Sequence, residues 1–110
     1  MVDASGPGIL RIGREDDDGD VVLTLEGELD LSSAPALSRE LDALEAAHAH
    51  RILIDLTGLT FMDSSGLTLV IKANQSATRN GQSLSFRNAS PQVRQLFELT
   101  GVLEELTFEE

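Results

Sequence analysis

The stretch 52-ILIDLTGLTFMDSSGL-67 decides how the chain folds. It opens on a short apolar run, 52-ILIDL-56, of the kind buried on both faces of a parallel sheet. It closes on an acid, two serines and a glycine, after which Leu67, Val70, Ile71 and Asn74 recur at the spacing of one helical face. Asp and Ser are preferred helix caps, and glycine relieves crowding at a turn, so 63-DSSG-66 reads first as a helix start. A strand feeding directly into a helix predicts an open α/β sheet. Such sheets present their sites at the carboxyl ends of their strands, where this tetrapeptide falls. If Asp63 caps, Ser64 becomes the first helical residue, close to free backbone N–H groups that favour a negative group.

The segments on either side extend the same architecture. Upstream, 9-ILRIG-13 and 21-VVLTLEG-27 read as strands, and Asp18-Gly19 between them suits a two-residue hairpin turn. In 33-SAPALSRELDALEAAHAH-50 the leucines at 37, 41 and 44 follow helical spacing, with Ser33 placed to cap and Pro35 in the first turn. Downstream, 83-SLSFR-87 alternates as a strand. A helix follows in 90-SPQVRQLFELTG-101, with Ser90 as cap, Pro91 in the first turn and Gly101 as its stop. The remainder, 102–110, suits one more helical turn and a short extended piece. Strands alternating with helices imply right-handed crossovers, hence a mixed, mostly parallel sheet begun by an N-terminal hairpin. Residues 1–8 are small and polar and read as a flexible tail; residues 9–110 form a single domain.

Composition removes several functions. The chain has 110 residues, no cysteine, 19 acidic against 8 basic residues and a formal net charge of −11. A phosphate-backbone partner needs clustered Lys and Arg, yet the only lysine is Lys72, so nucleic acid and anionic membrane surfaces are disfavoured. A protein with a basic face is the natural partner. Thiolate metal sites and disulfides are unavailable. Neither a secretory signal nor a stretch long enough to span a membrane is visible, which leads us to expect a cytoplasmic protein.

Other candidate sites fail on their own chemistry. In 16-DDDGD-20, setting Gly19 at the obligatory glycine of a calcium loop puts Arg14 and Leu25 at ligand positions, so the segment reads as a solvated hairpin tip. His48 and His50 lack a third metal ligand at matching spacing, and imidazoles near a helix end more often serve the helix itself. No metal or cofactor is expected. A serine hydrolase would need a G-x-S-x-G elbow and a separate histidine base, and neither is present. Asp30 and Asp63 end predicted strands and could form an acid–base pair, but little else suggests a substrate pocket. We therefore expect no enzyme.

Three segments, 27-GELDLSSAPAL-37, 53-LIDLTGLTFMDSSGL-67 and 89-ASPQVRQLFELTGV-102, together resemble the STAS domain, in particular the bacterial anti-sigma factor antagonists. They occur in the family's order and spacing, and the resemblance covers the chain from about residue 9. It implies a regulator of transcription in a partner-switching circuit of the kind used in stress responses. The serine after the Asp of D-S-[ST]-G, here Ser64, would be phosphorylated by a serine kinase that is itself the anti-sigma factor. The unmodified protein, a monomer when free, would bind that kinase and free the sigma factor. Phosphorylation would end binding until a serine phosphatase reversed it. The partner surface implied is Asp30, Asp63, Ser64, Ser65, Gly66 and Thr68, with Asp30 of the G-E-[LI]-D segment close to the phosphorylation site. One departure is Thr68, where family members commonly carry glycine. Two other roles compatible with the resemblance are a STAS scaffold or adaptor, and a nucleotide sensor using the same helix N-terminus.

Overall fold

A computed structural model describes residues 9–109. The predicted tail, 1–8, lies outside the described residues, as does Glu110. The elements are β1 (Leu10–Asp17), β2 (Asp20–Leu29), α1 (Ala34–Ala46), β3 (Arg51–Met62), α2 (Ser64–Arg79), β4 (Ser83–Arg87), α3 (Pro91–Thr100), a 3-10 turn at Val102–Glu104 and β5 (Phe108–Glu109). They form one five-stranded sheet in the order β1-β2-β3-β4-β5. The first pair is antiparallel and the other three are parallel, as the alternation of strands and helices predicts.

The hairpin turns on Asp18 and Gly19, at φ 55° and 92°, the doubly positive geometry that matches the twist of tight hairpins. The acids before them are not loop, however. Arg14 to Asp17 pair with Leu23 to Asp20, so the strands reach the turn itself.

Two expectations about β3 need correction. The strand continues past Leu56 to Met62, because β2 runs alongside as far as Leu29 and a register shift between Thr24 and Glu26 keeps the two paired. Nor is it buried on both faces. Ile52, Ile54 and Leu56 are buried, while Leu53 and Asp55 between them are half-buried. Their buried cross-strand partners, Val21, Leu23, Leu84 and Phe86, line the same face. There they share a core with Leu37 and Leu44 of α1, Val70 and Ala77 of α2, and Val93 and Phe97 of α3. Helices therefore cover one face, and the other carries polar rows. On it Arg87 Nε donates to Asp55 Oδ2 at 3.0 Å and Ser85 Oγ to Glu109 Oε2 at 2.8 Å.

The helix ends show the local logic. α3 begins as its sequence predicts, with Ser90 Oγ accepting from Val93 N at 3.4 Å, and stops at Gly101 with φ 78°. α1 ends at Ala46 instead of running to His50, and the chain turns back through His48 at φ 57°. Past α3, Phe108 packs on Phe86 and Phe97, with ring centroids 5.9 and 5.8 Å away, and this draws β5 onto the sheet.

Candidate functional site

Because β2 and β3 are parallel, the residues after each strand emerge together at one end of the sheet. Leu29 pairs with Met62, so Asp30 and Asp63 start neighbouring connections. Asp63 N donates to Leu29 O at 3.1 Å, which fixes where α2 begins.

Asp63 is the cap that the sequence predicts. Its Oδ1 accepts from Ser65 N at 2.8 Å and Gly66 N at 3.1 Å. Its Oδ2 reaches across to the neighbouring connection and accepts from Leu31 N at 3.3 Å. One carboxylate thus closes the helix end and ties down the loop beside it. The expectation of free N–H groups next to Ser64 is corrected by this geometry. The Ser65 and Gly66 donors belong to Asp63, and Leu67 N donates to Asp63 O at 3.0 Å. An incoming anion meets a helix end at which two of the donors are already taken by Asp63.

The loop after β2 is organised by Asp30 and Ser33. Asp30 Oδ1 accepts from Ser32 N at 3.0 Å, Ser32 Oγ at 2.8 Å, Ser33 N at 3.2 Å and Ser33 Oγ at 3.3 Å. The Ser32 hydroxyl, with help from the Ser33 and Ser32 amides, holds Asp30 below the usual carboxylate range against an opposing desolvation. Ser33 stands at the N-cap of α1, yet its side chain caps nothing. Instead its buried hydroxyl turns inward, donating to Glu28 O at 2.9 Å and accepting from Asp30 N at 2.9 Å. The capping role read from the sequence is replaced by a stitch within the loop, because Ser33 lies in the helical region at φ −101° and ψ −18°.

Two glycines hold this end together. Gly66 is buried in the first turn of α2. A Cβ there would lie 2.8 Å from Leu29 Cγ, 2.8 Å from Met62 Cγ and 2.9 Å from Leu29 O, so its need is close approach to the sheet rather than turn geometry. Gly27, at φ 107°, faces the Ile9 carbonyl so closely that a Cβ would collide with it. In the sequence only its place at the head of 27-GELD-30 hints at this.

Against this fixed background the exposed Ser64 hydroxyl stands out. Ser64 is exposed at the first position of α2, and no described residue hydrogen-bonds its side chain. Ser32 and Ser33 have theirs engaged, and Ser65 is half-buried. Thr68, one helical turn on, is exposed on the same helix. The structure therefore brings Asp30, Asp63, Ser64, Ser65 and Gly66 to one end of the sheet. Leu31 belongs with them and escaped the sequence reading. It is 76% exposed, and nothing in the pattern of a polar loop distinguishes an outward leucine from an inward one.

The other candidates lie elsewhere. His48 and His50 are exposed at the opposite end of the sheet, and the described residues hold no group of three or more His, Cys, Asp or Glu arranged for a metal ion. Among the described residues no helix is long and apolar enough to cross a membrane.

Residues 12–107 match the family model described as Mlab, STAS domain. The anti-sigma-B factor antagonist of Bacillus subtilis (strain 168) is 29% identical over 93 residues, which cover 84% of this chain and 84% of that protein. The crystal structure of an anti-sigma factor antagonist from Mycobacterium paratuberculosis superposes with a TM-score of 0.84 at 27% identity, covering 94% of this chain and 88% of the other. The anti-sigma factor antagonist SpoIIAA in its unphosphorylated form gives a TM-score of 0.77 at 25% identity, over 91% and 89% of the two chains.

Proposed function

Because the chain belongs to the STAS domain family, we propose that it is an anti-sigma factor antagonist switched by phosphorylation of Ser64. In its unmodified form it binds an anti-sigma factor that is also a serine kinase, and the sigma factor is released. The observation that carries this reading is the Ser64 hydroxyl, exposed and without a partner among the described residues, directly after the carboxylate that caps the helix. The names of its relatives, anti-sigma factor antagonists, support the partner class.

The chain's part in the modification is that of substrate. The Ser64 oxygen attacks the terminal phosphorus of ATP held by the kinase, the phosphoanhydride bond breaks, ADP leaves, and the hydroxyl proton passes to a base on the kinase. No base is needed from this chain. The product carries roughly −1.5 to −2 additional charge. Since Asp63 already occupies the Ser65 and Gly66 donors, that phosphate finds few donors within the chain and stands beside a carboxylate. The fold is left alone, and the change is felt by the partner as bulk and the desolvation of a dianion. A serine phosphatase restores the binding form in the cytoplasm. The same occupied donors count against a nucleotide sensor built on this helix end.

Intact-mass measurement after incubation with the cognate kinase and ATP tests the assignment. Wild type and Ser65→Ala are expected to gain one phosphate, and Ser64→Ala none. A mass shift that persists in Ser64→Ala removes Ser64 as the acceptor, and unchanged kinase affinity after phosphorylation removes the switch.

A further inference from the structure

We propose that Leu31 is the apolar anchor by which the anti-sigma factor grips the unphosphorylated protein, inserted into an apolar pocket of the partner rimmed by basic side chains. This rests on the partner-switching reading above and adds to it the residue that supplies the affinity.

Three large apolar side chains are exposed among the described residues, Leu31, Phe61 and Leu99. A single outward leucine is ordinary on a protein surface and by itself needs no explanation. Leu31 differs in how it is held. Its N–H is bonded to Asp63 Oδ2, and Asp63 directly precedes Ser64. The loop that carries Leu31 is thereby tied to the residue next to Ser64. The residues on both sides of it are fixed: Asp30 N is bonded to Ser33 Oγ, and Ser32 is bonded to Asp30 Oδ1 through both its amide and its hydroxyl. The loop enters a complex already ordered, so little chain entropy is lost when the leucine is covered.

The surroundings state the chemistry of the partner. Leu31 follows Asp30 in the chain, and its amide is bonded to the Asp63 carboxylate, on a chain of net charge −11. An apolar centre inside a charged rim is the usual anatomy of an energetic contact, and the complement of an acidic rim is Lys and Arg. Phosphate on Ser64 would set a bulky, strongly hydrated dianion at the edge of this contact, and its bulk and desolvation cost, which must exceed its attraction to the basic rim, link the anchor to the switch.

Leu99 provides an internal control, being 78% exposed but on α3. Binding of wild type, Leu31→Ala, Leu31→Met and Leu99→Ala would be measured calorimetrically against each purified anti-sigma factor kinase encoded in the source genome, with thermal melting of every variant. The expected result is a loss of about tenfold or more in affinity for Leu31→Ala, restoration by Leu31→Met, a change within about twofold for Leu99→Ala, and unchanged melting throughout. Wild-type binding with Leu31→Ala within about twofold of it overturns the anchor and leaves the partner-switching reading standing. Wild type that binds none of these kinases overturns both.

Discussion

Asp63 and Leu31, thirty-two residues apart in sequence, are joined by a hydrogen bond of 3.3 Å from the leucine amide to the carboxylate Oδ2. The same carboxylate caps α2 through its other oxygen. Asp63→Ala removes both functions and is expected to cost about 1–2 kcal/mol in chemical denaturation, the range for a lost N-cap. Asp63→Asn keeps an accepting oxygen for the cap but turns an NH2 group towards Leu31 N–H. It should lose less stability than Ala, while amide exchange at Leu31 quickens in both variants.

Gly66→Ala tests the contact between α2 and the sheet. Alanine is the better helix former by about 1 kcal/mol, so propensity alone argues for stabilisation. The new Cβ would stand 2.8 to 2.9 Å from Leu29 and Met62 atoms, one of them a backbone oxygen that cannot rotate away. Overpacking is expected to win, with a net loss of about 1–3 kcal/mol in the unfolding free energy from chemical denaturation.

Ser33→Ala leaves Asp30 N short of a partner and takes away the hydroxyl that donates to Glu28 O, both at the edge of the core. The expected loss is about 1–3 kcal/mol. If Ser33 acted as an ordinary cap of α1, the change would appear as fraying at Ala36, since Pro35 has no N–H to cap. The geometry instead places it in faster amide exchange at residues 30–32.

Acid stability draws on Asp30 and Asp55, besides the exposed Asp16 held low by its hydrogen bond from Arg14. Asp30 is held low chiefly by the Ser32 hydroxyl. At Asp55 burial pushes upward, and hydrogen bonds from the Thr57 hydroxyl and amide and from Arg87 more than reverse it. Both folded values lie below the unfolded ones, so the unfolded chain binds more protons in acid. Their contribution is complete above the ordinary carboxylate range, about pH 4, and is lost as pH falls through the lowered folded values. Melting temperature is expected to drop below that range, with the Asp30 carboxyl resonance titrating at lower pH than that of an unstructured peptide. In Ser32→Ala the Asp30 midpoint should move back upward.

Much of this was legible in the chain before any coordinates. The hairpin turn, the β–α alternation and the caps at Asp63 and Ser90 rest on local chemistry, and local chemistry is written in consecutive residues. What escaped depends on neighbours distant in sequence. The extension of β3 to Met62 requires β2 alongside it, and 57-TGLTFM-62 alone resembles a loop. Ser33 looks like a cap until Glu28 O is found behind it. Ser64 could be picked out by its motif, but the occupied donors beside it follow only from where the Asp63 oxygens point.

The acidic hairpin sits at the far end of β2 from all of this. Ten residues of strand, at about 3.3 Å each, hold the Asp18-Gly19 turn about 30 Å from Asp30. The screening length at physiological ionic strength is about 8 Å, so the turn's charge is nearly silent at Ser64. Its carboxylates can be exchanged, or a fluorophore mounted among them, with the switch at the other pole left undisturbed.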